Sequence, residues 1–225
     1  MGRSLNMVLF IGILFVLGAS SAFGQIVYSQ PSTFPDGNFY ASQNDTTGGY
    51  GNFATVYDNF KLANDTQVTD VHWSGGYWSG NPGTIAKFTI SFWADDAGKP
   101  GSALSIQQIN GNANETLIGI NNSTLNVYSY YADLATPFLA SGNAQYWLSI
   151  VPDIGFPPQW GWEAGKGGDG TAYQYFTPDN GGLRPISSDL AFELSSGNPV
   201  VPEPGTLLLL GAGLGGLALF RKARG

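Results

Sequence analysis

Short stretches in which apolar and polar residues alternate constrain the fold of this chain more than any other feature. In residues 85–93, Phe88, Ile90 and Phe92 fall on one side, and Ser91 and Trp93 fall on the other. Successive side chains of a β-strand point to opposite faces, so this pattern is typical of a half-buried strand. Few segments show the 3.6-residue period of a helix, and the sequence therefore predicts an all-β fold.

About nine or ten short strands are predicted, separated by turn-forming clusters of glycine, proline, aspartate and asparagine. The clearest strands are residues 54–62, 68–73, 85–93, 104–109, 115–120, 127–134, 145–151, 173–176 and 190–194. This spacing favours an antiparallel β-sandwich, jelly-roll-like in topology. We expect one domain over residues 25–198, with a looser lead over residues 25–50 and a core region over residues 54–194. The predicted core side chains are Phe88, Ile90, Phe92, Tyr146, Leu148, Ile150, Phe192 and Leu194.

The N-terminus has the parts of a secretory signal peptide. Arg3 precedes an apolar segment over residues 8–17, and small residues follow at Ala22 and Gly24. Signal peptidase recognises such a pattern, so residues 1–24 are predicted to be removed, leaving Gln25 as the new N-terminus. Cleavage after Ala22 and an uncleaved membrane anchor are the alternatives.

The C-terminus combines a proline-rich joint, an apolar run and a basic tail. The residues of the joint and the tail are Val201, Pro202, Glu203 and Pro204, followed by Arg221, Lys222 and Arg224. The apolar run over residues 206–220 predicts a short transmembrane helix, below the about 20 residues that usually span a bilayer. The basic tail favours a cytoplasmic C-terminus with the domain outside. A simple tail anchor is the alternative interpretation.

Residues 199–225, with this order of joint, Gly/Leu-rich run and basic tail, resemble the PEP-CTERM sorting signal of Gram-negative bacteria. The resemblance implies transit through the inner membrane, recognition by an exosortase, and removal of the tail near the Pro-Glu-Pro. It also implies a cell-surface or extracellular destination in the setting of exopolysaccharide and biofilm.

The domain resembles a sandwich domain that recurs in secreted bacterial proteins. The resemblance rests on residues 57–60, 71–73, 88–92, 146–150 and 189–194. It implies the fold and export, and it implies no activity.

Composition excludes several classes of function. Residues 25–204 contain all 16 acidic residues but only five basic ones, so this part carries a net charge of −11. Nucleic acid is therefore not a predicted partner, because phosphate binding requires a basic surface. The chain has no cysteine and only one histidine, His72. Thiolate metal sites, multi-histidine metal sites and a thiol nucleophile are excluded, and no motif of a serine hydrolase accompanies His72.

Aromatic residues near predicted loops give the strongest hint of a ligand. Trp78, Trp160 and Trp162 are candidates for stacking on sugar rings, with the last two in a predicted rim over residues 157–163. Sugars present C–H faces to flat aromatic rings. Packing of these indoles in the core is the alternative.

Carboxylates in predicted loops are candidates for two other kinds of site. Asp95, Asp96, Asp169 and Asp179 are candidate ligands for calcium, the one cofactor considered, because calcium prefers oxygen ligands. Asp95, Asp96, Asp169 and Glu163 are also candidates for the paired acids of a polysaccharide-active enzyme. The alternative is that these carboxylates stabilise turns.

These features predict an exported, non-catalytic cell-surface or extracellular-matrix protein that is associated with exopolysaccharide. The alternatives are a carbohydrate-binding module, a calcium-binding adhesin and a polysaccharide-active enzyme. The leading interpretation rests on export signals at both ends of a domain without a recognisable catalytic motif.

Processing at the two ends can be measured directly. We expect the protein collected from the cell surface or the medium to begin at Gln25 and to lack the tail beyond Pro204, because the sorting signal is removed. Intact-mass spectrometry of that material checks both ends. A C-terminus that still ends at Gly225 would contradict processing.

Overall fold

The computed structural model describes residues 24–78, 81–177 and 181–197, and β-strands dominate all three ranges. The α-helix is absent from the described ranges. In particular, none of these residues form a helix with the length and apolar character needed to cross a bilayer. The strands in chain order are β1 (Gln25–Gln30), β2 (Phe39–Ala41), β3 (Gln43–Asp45), β4 (Gly51–Lys61), β5 (Thr66–Tyr77), β6 (Lys87–Asp95), β7 (Pro100–Asn110), β8 (Thr116–Ile120), β9 (Asn126–Ala140), β10 (Gln145–Asp153), β11 (Trp160–Gly165), β12 (Ala172–Phe176), β13 (Leu183–Ile186), β14 (Asp189–Leu190) and β15 (Phe192–Ser196).

The strands form two sheets that pack face to face. The eight-stranded sheet has the order β1-β15-β5-β11-β14, with β2 beside β11, β9 beside β5 and β8 beside β9. The seven-stranded sheet has the order β13-β12-β4-β3-β10-β6-β7, with a direct pairing of β4 and β10. Among the described strands, pairing is antiparallel apart from one parallel bridge between Asn44 and Asp153. The predicted jelly-roll-like antiparallel sandwich is confirmed.

The core between the sheets contains the side chains that the alternation predicts. Phe88, Ile90 and Phe92 of β6 are fully buried, as are the predicted core residues of β10 and β15 other than Tyr146. Tyr146 packs against the core from its edge, where its hydroxyl accepts a hydrogen bond from the backbone of Ser141 at 3.0 Å. A phenol that keeps a polar partner at the edge of a core is common, because its ring is apolar and its hydroxyl is not.

The prediction of a looser lead over residues 25–50 is wrong in part. β1 pairs with β15 from Gln25 to Gln30, β2 pairs with β11, and β3 pairs with β4. A register shift interrupts β1 between Ile26 and Tyr28. Because the shift breaks the strict alternation of side chains, the sequence pattern in this segment is weaker than in β6.

One buried carboxyl group joins the two sheets. Asp58 of β4 accepts a hydrogen bond from the backbone N–H of Leu190 in β14, with 2.6 Å between the nitrogen and Oδ2. It also accepts from the N–H of Asn59 at 2.7 Å. Burial raises the pKa of Asp58 well above its usual range, the two N–H donors offset part of that rise, and nearby Asp189 and Asp169 add to it.

The raised pKa of Asp58 makes stability depend on pH in a defined direction. Because the folded pKa lies above the unfolded value of about 3.9, the contribution of Asp58 is fully present below about pH 4. It is lost as the pH rises through the folded pKa. Asp58→Asn removes this titration and keeps an oxygen acceptor for Leu190. We expect the free energy of unfolding of this variant, relative to wild type, to increase as the pH rises above about 4 in urea titrations.

The matched control is Asp96→Asn, which removes the same carboxylate charge at an exposed turn position instead of a buried one. Asp58→Ala leaves the buried N–H of Leu190 without its acceptor. The free energy of unfolding of this variant should therefore be lower than that of wild type by about 1–3 kcal/mol even at acidic pH. A stability difference between Asp58→Asn and wild type that does not change with pH would contradict this explanation.

Candidate functional site

The outer face of the seven-stranded sheet carries a row of side chains whose neighbours are fixed by strand pairing. Tyr173 of β12 is paired with Tyr57 of β4, Tyr57 with Ser149 of β10, and Ser149 with Ser91 of β6. At least one sequence neighbour of each residue belongs to the core. Since side chains alternate along a strand, all four residues of the row point away from the core.

Trp93 and Trp147 form a second pair beside this row. They lie directly opposite each other on β6 and β10. Trp93 meets Tyr57 edge-on, with ring centroids 5.5 Å apart and an angle of 75° between the planes. Trp147 meets Tyr173 in the same way at 5.4 Å and 63°. Aromatic pairs favour this edge-to-face arrangement, which holds the rings in fixed positions on the sheet.

We call Tyr57, Trp93, Tyr173 and Ser149 the aromatic face. Its three rings are half-buried, and the indole N–H of Trp93 donates to the Ser149 hydroxyl at 3.0 Å. Burial raises the pKa of Tyr57, and a hydrogen bond with the Thr55 hydroxyl offsets part of that rise, so the phenol is neutral at ordinary pH. Ser149 is buried, so the three rings are the part of the aromatic face that a ligand can contact. Flat rings with phenol hydroxyls at the edges of two of them are suited to stacking on a sugar ring and bonding its hydroxyls.

The prediction that Trp160 and Trp162 stack on sugars is wrong, because both indoles are fully buried in the core. The Trp160 N–H donates to the Tyr130 hydroxyl at 3.1 Å, and the Trp162 N–H donates to the carbonyl of Ala191 at 2.9 Å. These residues belong to β11 rather than to a loop. Gly161 between them occupies a crowded position, since a Cβ there would lie 2.7 Å from the Cβ of Phe39.

Trp78, the third predicted sugar-binding residue, directly follows β5 of the eight-stranded sheet. It is 45% exposed, and its ring meets Phe39 edge-on with centroids 6.1 Å apart. Trp78 therefore lies on the other sheet from the aromatic face. Its binding role stays a prediction.

The predicted calcium ligands that the structure describes accept hydrogen bonds or are exposed. Asp95 accepts from an indole N–H at 2.9 Å, and Asp169 accepts from an asparagine side chain at 3.1 Å. Asp96 is exposed, and Asp179 lies outside the described residues. Across the part of the chain that the structure describes, no three carboxylate or histidine side chains lie close enough together to hold a metal ion. Calcium binding stays a prediction.

Glu163 and His72 lie on the eight-stranded sheet. Glu163 is fully buried, and neither carboxyl oxygen has a hydrogen-bond partner among the described residues. Burial raises the pKa of Glu163. His72 is half-exposed, with its Nε2 3.2 Å from Oδ1 of Asp70. Because Glu163 is shielded from solvent, it is not accessible as one of a pair of acids acting on a polymer.

The aromatic face was not among the predicted binding sites, although part of its signal is visible in the sequence. Trp93 falls on the polar side of the alternation in residues 85–93. A large aromatic residue at a solvent-facing strand position is such a signal, because burial alone does not explain it. The contact of Trp93 with Tyr57, and the pairing of Tyr57 with Tyr173, depend on the strand order, which alternation does not provide.

The fold and the sequence features at the two ends define a β-sandwich protein with an export signal. The chain belongs to the family described as Domain of unknown function (DUF7901), whose family model matches residues 27–195. Residues 200–222 match the PEP-CTERM protein-sorting motif, which confirms the resemblance noted in the sequence. The motif implies export, membrane transit and processing by an exosortase. No curated protein matches the chain.

The residues predicted to direct this processing lie largely outside those that the structure describes. Ala22, the joint at residues 201–204 and the basic tail are among them. Gln25, the predicted new N-terminus, is the first residue of β1 and pairs with Ser196 of β15. The predicted cleavage sites therefore stay predictions.

Proposed function

We propose that this chain is a non-catalytic protein of the cell surface or extracellular matrix, in a bacterial biofilm, that binds exopolysaccharide through the aromatic face. The observation that carries the proposal is the cluster of three half-buried rings, Tyr57, Trp93 and Tyr173, on the outer face of a sheet. Export, which the sorting motif implies, supports this proposal because exopolysaccharide is found outside the cell.

The charge of the domain favours a neutral polysaccharide over an acidic one. The four residues of the aromatic face carry no charged group, whereas residues 25–204 carry a net charge of −11. Such a domain repels polyanions at low ionic strength. Stacking and hydrogen bonds to hydroxyls are then the contacts that remain for binding.

The chemistry around the aromatic face supports binding rather than hydrolysis. Glycoside hydrolysis ordinarily needs two carboxyl groups about 5–10 Å apart on either side of the bond. The aromatic face itself has none. Oδ1 of Asp95, at the end of β6, already accepts hydrogen bonds from Trp147 and from Gln145.

Loss of either outer ring should weaken binding to neutral exopolysaccharide. We expect Tyr173→Ala and Trp93→Ala each to lower the affinity roughly 2- to 10-fold, the equivalent of about 0.5–1.5 kcal/mol for one aromatic contact. The variant with both substitutions should have a lower affinity than either single variant. Affinity gel electrophoresis with the neutral exopolysaccharide of the producing bacterium measures these changes.

The matched control is Tyr131→Ala, which removes a ring that is 44% exposed on the eight-stranded sheet. It should bind as wild type does. Near-UV circular dichroism establishes that each variant is folded. A folded double variant with the affinity of wild type would overturn the assignment of the binding site to the aromatic face.

A further inference from the structure

A second aromatic site lies where the hairpin between β3 and β4, the end of β12 and the loop between β10 and β11 meet. It is a cavity of about 480 Å³. Its lining residues are Tyr50, Phe53, Phe156, Gln159, Phe176 and Thr177. Four of the six are aromatic, and none carries a charge. The strand pair β4–β12 fixes one wall, because Phe176 is paired with Ala54, the residue next to Phe53.

Three of these rings stand close to perpendicular to one another. Tyr50 and Phe156 have centroids 5.8 Å apart with 80° between their planes, and Phe53 and Phe156 have centroids 5.9 Å apart with 76°. Tyr50 and Phe53 complete the set at 6.4 Å and 67°. Three rings at such angles form the walls of a corner. All three rings line the same cavity, so a compact group seated there would contact rings of different orientation. A cation interacts with an aromatic ring when it lies within about 6 Å of the ring centroid.

The exposure of these rings shows that the site is not simply part of the core. Phe53 is buried, but Tyr50 is 67% exposed and Phe156 is 43% exposed. A group of large rings held together and left open to solvent is a common mark of a binding site. We call Tyr50, Phe53, Phe156 and Phe176 the aromatic corner.

We propose that the aromatic corner binds a quaternary ammonium group. The negative faces of aromatic rings attract a cation, and a trimethylammonium group can present its methyl groups to several walls at once. A flat sugar ring would stack on one wall and leave the others unused. The net charge of −11 over residues 25–204 also favours a cation over an anion.

The polar residues of the cavity fit a ligand with a polar substituent beside the ammonium group. The Gln159 amide can both donate and accept hydrogen bonds, and the Thr177 hydroxyl can do the same. Choline has this form, with a hydroxyl two carbons from the nitrogen. The same chemistry occurs in a free small molecule and in the headgroup of a choline lipid.

The decisive experiment compares choline with its neutral analogue 3,3-dimethyl-1-butanol, in which carbon replaces the charged nitrogen. Isothermal titration calorimetry of the full chain with each compound measures the preference. We expect choline to bind roughly 5- to 30-fold more tightly, the range of a partly or fully desolvated cation–π interaction. Equal affinity for the two compounds, or no binding of choline, would overturn the proposal.

Two substitutions separate a cation–π site from an apolar cavity. Phe156→Leu keeps an apolar side chain but removes the ring, so it should lower the affinity for choline and leave the neutral analogue unchanged. Tyr50→Phe keeps the ring and should retain choline binding. The control is Tyr131→Ala, on the eight-stranded sheet, which should leave the affinity for choline unchanged. Unchanged choline binding by Phe156→Leu would overturn the assignment to the aromatic corner.

A further experiment distinguishes a free small molecule from a lipid headgroup as the source of the ligand. Sedimentation of the full chain with phosphatidylcholine vesicles, with and without free choline, tests the lipid headgroup. Binding that choline displaces supports the headgroup, whereas choline binding without vesicle binding supports a free small molecule. This site shares no residue with the aromatic face, so polysaccharide binding can fail while choline binding holds, and the reverse.

Discussion

Burial of aromatic side chains between the two sheets is the interaction on which the rest of this structure depends. The chain has no cysteine, so no disulfide supports the sandwich. Phe92 stacks on Phe138 with ring centroids 4.2 Å apart, and Phe60 meets both rings edge-on. Because side chains alternate along each strand, residues between these core positions must face outward. The packing that stabilises the fold thus also places Tyr57 and Trp93 on the outer face.

Buried polar groups hold strands together both between the two sheets and within the eight-stranded sheet. The Asp58 carboxyl group binds the backbone of the opposite sheet. The Tyr130 hydroxyl donates to Glu115 at 2.9 Å and accepts from the indole of Trp160. Burial and the nearby Tyr77 and Glu115 raise the pKa of Tyr130, so its hydroxyl keeps the proton that this chain of hydrogen bonds requires. Buried groups satisfied in this way favour one arrangement of the strands over others.

The sequence predicted strands where alternation is clear, and it missed β1 and β11, where a register shift or a glycine interrupts the pattern. Strand β6 follows the pattern of Phe88, Ile90 and Phe92, and its predicted core was confirmed. β11 was missed because Gly161 separates its two indoles and prolines precede it, which together indicate a loop. Neither aromatic site was predicted, because each combines residues from distant segments. Tyr50 and Phe156 meet only through the strand order and the loops that it brings together.

If the aromatic face binds polysaccharide, the outer ring of Trp93 contacts it, whereas the buried indoles of Trp160 and Trp162 support the fold. The six tryptophans of the chain each give one indole N–H signal, so a nitrogen–proton correlation spectrum reports on all of them. On titration with fragments of the neutral exopolysaccharide, the signal of Trp93 should shift and those of Trp160 and Trp162 should not. Shifts confined to Trp78, or an unchanged Trp93 signal at saturation, would contradict the claim.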